Sequence, residues 1–484
     1  MEGRDDYLKG APLVHVVVYF VILFGVGLLP APAPITTYGM RTLGVFFALI
    51  YGWCAIGMIW PSLAGMLAMG MLGLMPLEEV FRFGFGHSIT LLLFFMMMVA
   101  KNLEQTGISK LVAMWFISRP WILGKPWLLS LMLLLALMLV SSVTSAAAVI
   151  LLGWIVMNDI MIATRMPKFA PYANFMMIGV VLACAMGDNL FTFRTVGAVS
   201  FAIMEQTTQL AVSPLAFTLF VTGLSVVILA CFVLMGKYIF RIPTDEIKGL
   251  RAEYFADMDF TMDRTQKMIA ALMLLLVVLM LAPSVLPEES AAASVLNELG
   301  SAGVAGLVTL LMCVLQVDGR QLMAPAQAIK EGVSFEVIFL TAAILPLALS
   351  VISSKKAGIN AFIVNLLEPL GQWQSPVAFM LLVAAIALVL TNLINNMTVP
   401  AILFPALYPI AARLSISPVA LMVVIVFCCG LAVMLPSATP MAAMMYGNTA
   451  AIRKGGIYRY VGAFLAVSVV IIFAAMPLAL KIFG

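Results

Sequence analysis

The chain has 484 residues, of which 64% are hydrophobic and only 10% charged, and its mean hydropathy is +1.13. That balance excludes a soluble globular domain and describes a polytopic membrane protein. The formal net charge of +4 comes without a basic patch interleaved with aromatics, which excludes nucleic acid as a partner.

Residues 1–10 are polar and hold three acids, Glu2, Asp5 and Asp6, without the basic start and cleavage site of a secretory signal. The first apolar run, 11–30, is therefore expected to stay as a membrane helix within an N-terminal unit, 1–38. Further spans are predicted at 40–58, 60–76 and 88–103, and an amphipathic stretch opens on Gly107-Ile108. Pro126 begins a different pattern: two apolar arms, ending near Asp159, around the polar centre Ser141-Ser142-Val143-Thr144-Ser145. Arms of about 14 residues make about 21 Å of helix, short of a hydrocarbon core of about 30 Å. The segment 126–159 is thus predicted as a re-entrant hairpin, whose backbone survives at membrane depth only where it lines a cavity. The next run, 173–206, is interrupted from Gly187-Asp188-Asn189 through Gly197 and reads as a broken helix. A span at 214–238 closes a first half, 39–240.

The polar connection from Lys237 to Lys267 carries six basic and six acidic residues, and 241–266 is expected as a cytoplasmic loop. Spans follow at 267–286, 298–316 and 333–353, then an amphipathic stretch at Gly358-Ile359. The hairpin pattern recurs at 376–413, 250 residues on, around Thr391-Asn392-Leu393-Ile394-Asn395-Asn396-Met397-Thr398. A second interrupted run, 416–448, breaks at Pro436-Ser437-Ala438-Thr439-Pro440, and a span at 457–482 completes the second half, 267–484. With the N-terminus cytoplasmic, lysine and arginine divide 19 inside to 6 outside, leaving Arg194 within the membrane. The first hairpin then enters from the cytoplasm and the second from outside, so the halves are inverted. Paired hairpins and broken helices in inverted halves predict an all-α transporter with its site between them near the bilayer midplane.

The residues at these centres suit an anion. A helix start presents unpaired N–H groups and a positive dipole end. Thr144 or Ser145, Thr398 and Thr439 are all placed to cap helix starts, with Pro400 and Pro440 in first turns. Several starts converging at the midplane would cradle a carboxylate or sulfate. Asp188 and Arg194 are charges inside a span, where each costs at least about 2.5–3.5 kcal/mol and marks a functional site by default. They either pair with each other or take part in transport. Arg194 would hold a carboxylate bidentately or supply a fixed positive charge, and Asp188 would titrate or ligate a cation. Asn392, Asn395 and Asn396 offer more amides than capping requires. Glu205, at the end of its span, is expected at the outer interface, and His15 and His87 have no partner suggesting metal or proton chemistry. The six cysteines, Cys54, Cys184, Cys231, Cys313, Cys428 and Cys429, lack metal-ligand spacing and read as small hydrophobes. An enzyme is not expected: the chain has no HExxH, no P-loop and no nucleophile–histidine pair at depth.

These residues together resemble the divalent anion:sodium symporter family of dicarboxylate and citrate carriers, over nearly the whole chain after the first helix. That family carries Ser-Asn-Thr at each hairpin tip and a Thr-Pro-Pro-Asn-like stretch in each broken helix. Here the tips read Ser142-Val143-Thr144 and Asn395-Asn396-Met397, and the broken helices read Thr195-Val196-Gly197-Ala198 and Thr439-Pro440-Met441-Ala442. Asn102-Leu103-Glu104-Gln105-Thr106-Gly107 is similar to the family's stretch before the first hairpin. Val143, Ala198 and Ala442 stand where asparagines are usual, and Arg194 where a glycine is usual. The resemblance implies an elevator-type carrier in the inner (plasma) membrane, commonly a homodimer, that moves a small di- or tricarboxylate. It implies a substrate site of Ser142, Val143, Thr144, Arg194, Thr195, Asn395, Asn396, Thr439 and Pro440. It implies ion-coupling positions at Ser142, Gly187, Asp188, Asn189, Asn392, Asn396 and Ala438, with sodium at the hairpin tips and no other cofactor. Proton coupling, anion exchange without sodium, and an arsenite-type permease of the wider superfamily stand as the alternatives.

Overall fold

A computed structural model describes residues 12–484 apart from 118, 120, 121, 123, 168, 249–260, 288, 349–355, 360, 363, 364, 366–374, 394, 395, 437 and 450. The chain is mostly helical. The first half comprises α1 (Leu13–Gly25), α2 (Thr37–Ala55), α3 (Ile59–Met71), α4 (Leu77–Phe85), α5 (Ser88–Gln105), α6 (Ile108–Ile117), α7 (Pro126–Ser141), α8 (Ala146–Ala163), α9 (Pro171–Gly187), α10 (Thr195–Thr208) and α11 (Pro214–Tyr238). The second comprises α12 (Arg264–Leu281), α13 (Ala291–Val314), α14 (Pro325–Gly332), α15 (Phe335–Ala348), α16 (Pro376–Leu393), α17 (Thr398–Arg413), α18 (Pro418–Cys429), α19 (Pro440–Gly447) and α20 (Lys454–Phe483). Two two-residue strands, β1 (Gln316–Val317) and β2 (Arg320–Gln321), pair antiparallel across Asp318-Gly319, both at positive φ as a tight hairpin turn requires.

Prolines set many of the helix starts. Pro126, Pro171, Pro214, Pro376, Pro418 and Pro440 each open a helix, where the missing N–H would be unpaired anyway. Asp263 and Gln266 form a reciprocal capping box on α12, and Ser213, Ser290 and Ser417 cap α11, α13 and α18. Gly107 and Gly358, which open the two amphipathic stretches, both adopt left-handed backbone, with φ of 72° and 67°. The expected span 298–316 begins earlier, at Ala291, and bends at Gly300, whose φ is 60°. The predicted runs did not include α4, an amphipathic helix whose acids Glu78 and Glu79 occupy the first turn.

The hairpins are hairpins by contact. Leu137 and Gly153 stand eight residues either side of Ser145, and a Cβ on Gly153 would lie 2.8 Å from Leu137 Cδ1. The two arms of the first hairpin therefore run side by side well away from the tip. Its ends also lie together: Tyr172, at the start of α9, donates to the Pro126 carbonyl at 3.3 Å and shares a 2.7 Å hydrogen bond with Ser130 Oγ. Only residues 164–170 separate the end of α8 from α9. In the second half α18 packs against both α16 and α17. The arms are longer than the expected 14 residues, at 16 and 18 in the first hairpin and 18 and 16 in the second.

At the centre are α9 and α18, equivalent first halves of the two broken helices. Every residue from Tyr172 to Gly187 and from Ala420 to Cys429 is buried, which explains why both are apolar all round. The second half-helices then cross over: α10 packs on α17 and α18, while α19 packs on α8 and α9. The same contact is made twice with the halves exchanged. Beyond this centre the packing falls into two groups. Helices α2–α5 and α12–α15 pack among themselves, as do α7–α11 and α16–α20, and α10 supplies the main contact across, against α5 and α15.

Candidate functional site

The first hairpin tip meets the first helix break. Helix α9 runs beside α7 and stops at Gly187, where a Cβ would overlap Ser141 Oγ and the Met138 carbonyl. Ser141 Oγ donates to the Cys184 carbonyl at 3.1 Å. The remaining tip hydroxyls turn back onto the arm they leave: Ser142 Oγ donates to Leu139 O (2.7 Å) and Thr144 Oγ1 to Val140 O (2.8 Å). This corrects the expectation that Thr144 or Ser145 caps the returning helix. Ser145 occupies the N-cap position of α8, but its side chain makes no cap hydrogen bond. Serine and threonine hydroxyls readily bond the carbonyls three or four residues back, and here that partner wins.

Arg194 joins the tip to the break. Its Nη2 donates to the Thr144 carbonyl at 2.9 Å and to the Asp188 carboxylate, so the two buried charges do pair. Its Nε is buried and has no hydrogen-bond partner. Arg194 is also the residue before α10, whose start likewise has no side-chain cap, and Thr195, half-buried, is the first residue of that helix. Val143, half-buried, is the apolar member of the tip.

The second tip meets the second break through one side chain. Asn392 accepts from Val433 N (3.0 Å) and Met434 N (2.8 Å) and donates to Leu431 O (3.2 Å) and Leu388 O (2.9 Å). Its capacity is spent on holding backbone. Asn396 is buried and its N–H reaches the carbonyl of Ala438, itself fully buried, at 3.4 Å. Asn395 lies outside the described residues. Thr439 does cap α19, accepting from Ala442 N at 3.1 Å and donating to Ala432 O at 2.9 Å, with Pro440 exposed in the first position. Thr398 does not cap α17: the N-cap position is Met397, and the buried Thr398 hydroxyl has no partner.

The two breaks touch at Asn189 and Gly430. A Cβ on Gly430 would lie 2.8 Å from Asn189 Nδ2. Beside them is a cavity of about 10 Å³ bounded by Asn189, Ser225, Gly430 and Leu431, in which Asn189 Oδ1 and Ser225 Oγ are both buried without a hydrogen-bond partner. Ser225 was not among the expected site residues, and a single hydroxyl in the apolar helix α11 gives little signal. A larger cavity, about 400 Å³, lies between α5, α10, α12 and α13, lined by Thr192, Ala198, Glu205, Asn297 and Gly300 among others. Glu205 thus faces this cavity at the far end of α10. His87 caps α5 by accepting from Ile89 N at 3.2 Å and touches Gln206, while His15 bonds Tyr51. Among the described residues no group of three or more histidines, cysteines and carboxylates is placed to hold a metal ion.

The arrangement therefore brings Ser142, Val143, Thr144, Gly187, Asp188, Arg194 and Thr195 together at one corner. It brings Asn392, Asn396, Ala438 and Thr439 together at another and joins the corners through Asn189. Three helix starts without side-chain caps, those of α8, α10 and α17, lie at these corners with one guanidinium. Unpaired N–H groups with a positive charge form a receptacle for a compact anion.

Known proteins give the same picture. The profile of the family described as citrate transporter (CitMHS) matches residues 45–408. No curated protein matches significantly by sequence. Among solved structures, the chain is similar to the YdaH transporter of Alcanivorax borkumensis, at 15% identity and a TM-score of 0.56, over 86% of this chain and 90% of that one. It is also similar to MtrF of Neisseria gonorrhoeae, described among a class of antimetabolite efflux pumps, at 14% identity and a TM-score of 0.56, over 98% and 95%. At such identity these likenesses concern the fold.

Proposed function

The chain belongs to the citrate transporter family of the ion transporter superfamily, and from that premise we propose that it carries small di- or tricarboxylates by elevator-type alternating access. It is an integral membrane protein and a secondary transporter, not an enzyme. The observation that carries the substrate reading is Arg194: a buried guanidinium with an unpartnered Nε, between a hairpin tip and a helix start without a side-chain cap. One carboxylate fits its fork, and further carboxylates fit the uncapped starts of α8 and α17. Ser142, Val143, Thr144, Thr195, Asn395, Asn396, Thr439 and Pro440 are the remaining substrate-facing positions in this reading.

Two features support the elevator movement. The hairpins and broken helices pack as one group with α11 and α20, and that group meets the other chiefly through α10. The amphipathic stretches leading to the hairpins both open on a glycine in left-handed backbone, which suits a hinge. A homodimer in the inner membrane with a cytoplasmic N-terminus completes the proposal, on the strength of the charge bias and the resemblance. Ion coupling falls to the Gly187-Asp188-Asn189 corner and to Asn392, Asn396 and Ala438. Asn392 is the weakest of these, because its oxygen already accepts two backbone N–H groups.

The test is a thermal-shift screen of purified protein against citrate, succinate, malate, fumarate, tartrate and sulfate, with and without sodium, followed by uptake of the stabilising anion into proteoliposomes. Stabilisation by carboxylates and saturable uptake are expected. Stabilisation by none of them, or by sulfate alone, rejects the carboxylate reading.

A further inference from the structure

We infer that Asp188 is a cation site opened by the transported anion: a substrate carboxylate takes Asp188's place on Arg194, and the released Asp188 binds one proton or one sodium ion. The inference rests on the anion reading above and specifies its coupling.

The geometry turns on one nitrogen. Arg194 Nη2 donates to both the Thr144 carbonyl and the Asp188 carboxylate, while Nε on the same edge of the guanidinium has no partner. A carboxylate binds guanidinium best through two parallel N–H groups. On this edge those are Nε and Nη2, so a bidentate carboxylate needs the nitrogen that Asp188 holds. Thr144 is not the competitor, because its contact is a fixed carbonyl of the hairpin tip. Asp188, six residues along the chain in the flexible break, is the group able to leave.

Once displaced, Asp188 has no replacement partner. The other titratable group facing it is Cys184 of α9, a buried thiol, and the first tip offers only hydroxyls and carbonyls. Among the described residues its only ion pair is the one with Arg194. A mostly buried carboxylate that loses its counter-charge neutralises instead, by taking a proton or a metal cation. The exchange balances: substrate carboxylate plus the Asp188–Arg194 pair plus one cation gives the substrate–Arg194 pair plus neutralised Asp188. When the anion leaves, the internal pair re-forms and the cation is expelled. One cation therefore accompanies each carboxylate held by Arg194, which is symport built from two residues.

Calorimetry on the purified full-length protein tests this with citrate and succinate as probes. Titrations in buffers of different ionisation enthalpy count protons taken up per anion, and titrations over a tenfold range of sodium count sodium ions. Wild type is expected to take up about one cation per anion, either as buffer-dependent heat or as a roughly tenfold change in Kd per tenfold change in sodium. Asp188→Asn is expected to bind the anion about tenfold more tightly, with no cation taken up. Asp188→Glu, which keeps a carboxylate, is expected to keep the cation, and Arg194→Ala to weaken binding at least tenfold. Zero cation uptake by wild type, or unchanged uptake by Asp188→Asn, overturns the exchange while leaving anion binding intact. A wild type that binds neither probe overturns the anion reading and the exchange together.

Discussion

Asn189 and Gly430 hold the two halves of the chain against each other at the level of the helix breaks. The closeness, 2.8 Å from a Gly430 Cβ to Asn189 Nδ2, leaves no room for a side chain. Gly430→Ala is therefore expected to overpack the junction and cost about 1–3 kcal/mol, read as a lower thermal midpoint in detergent. Gly462→Ala, at a position with open space around it, serves as the control and should stay within about 0.5 kcal/mol. Equal midpoints for the two variants would contradict the junction.

Gly187→Ala should act on the site more than on the fold. The added methyl would collide with Ser141 Oγ and the Met138 carbonyl and push the first tip away from the break. Arg194 then no longer reaches both Thr144 O and a ligand. A fall in anion affinity of tenfold or more is expected, and titration of the variant with the preferred anion measures it.

Asn392→Ala removes four backbone contacts with one side chain, leaving Val433 N, Met434 N and Leu431 O without their partner. Each buried group left unsatisfied costs about 1–3 kcal/mol. The variant should be among the least stable single substitutions at the second tip, and a melting curve indistinguishable from wild type would show that this amide is dispensable.

Thr439→Ala removes the cap on α19 at a cost of about 1 kcal/mol, whereas Thr439→Ser keeps the hydroxyl and should retain stability. The difference between the two, rather than either alone, isolates the cap.

Hairpin geometry makes a labelling prediction. In a background with the six cysteines replaced, single cysteines at Lys125 and Thr164 flank the first hairpin, and at Ser375 and Ser415 the second. Both members of a pair should react with a membrane-impermeant maleimide from the same face, and the two pairs from opposite faces. Opposite faces within either pair would mean that the hairpin crosses the bilayer.

Much of this architecture was legible because proline and polarity mark helix boundaries plainly. The runs predicted from 173, 214 and 416 begin at Pro171, Pro214 and Pro418, and the break after Gly187 is where α9 stops. The arms ran longer than expected for a definite reason. Polar residues were read as ending the helix, yet Ser142 and Thr144 satisfy their hydroxyls on the carbonyls of the preceding turn and so do not mark its end. Helix α4 was missed because its charged first turn interrupts the apolar run. The work of Asn392 was invisible for a different reason: its partners lie 39 to 42 residues away, and periodicity carries no information about such a pairing. Asp188 and Arg194 stood out as charges, but only the fold decides which edge of the guanidinium is spent.

The exchanged packing of α10 on α17 and α18, and of α19 on α8 and α9, bears on biosynthesis. While the ribosome is still translating residues beyond 240, α10 and the Asp188–Arg194 stretch have yet to meet the surfaces that will cover them. Each half completes the other, so a nascent chain released early would present a polar gap to lipid and invite quality-control proteolysis. Two separately synthesised halves, by contrast, hold all the complementary surfaces required to assemble.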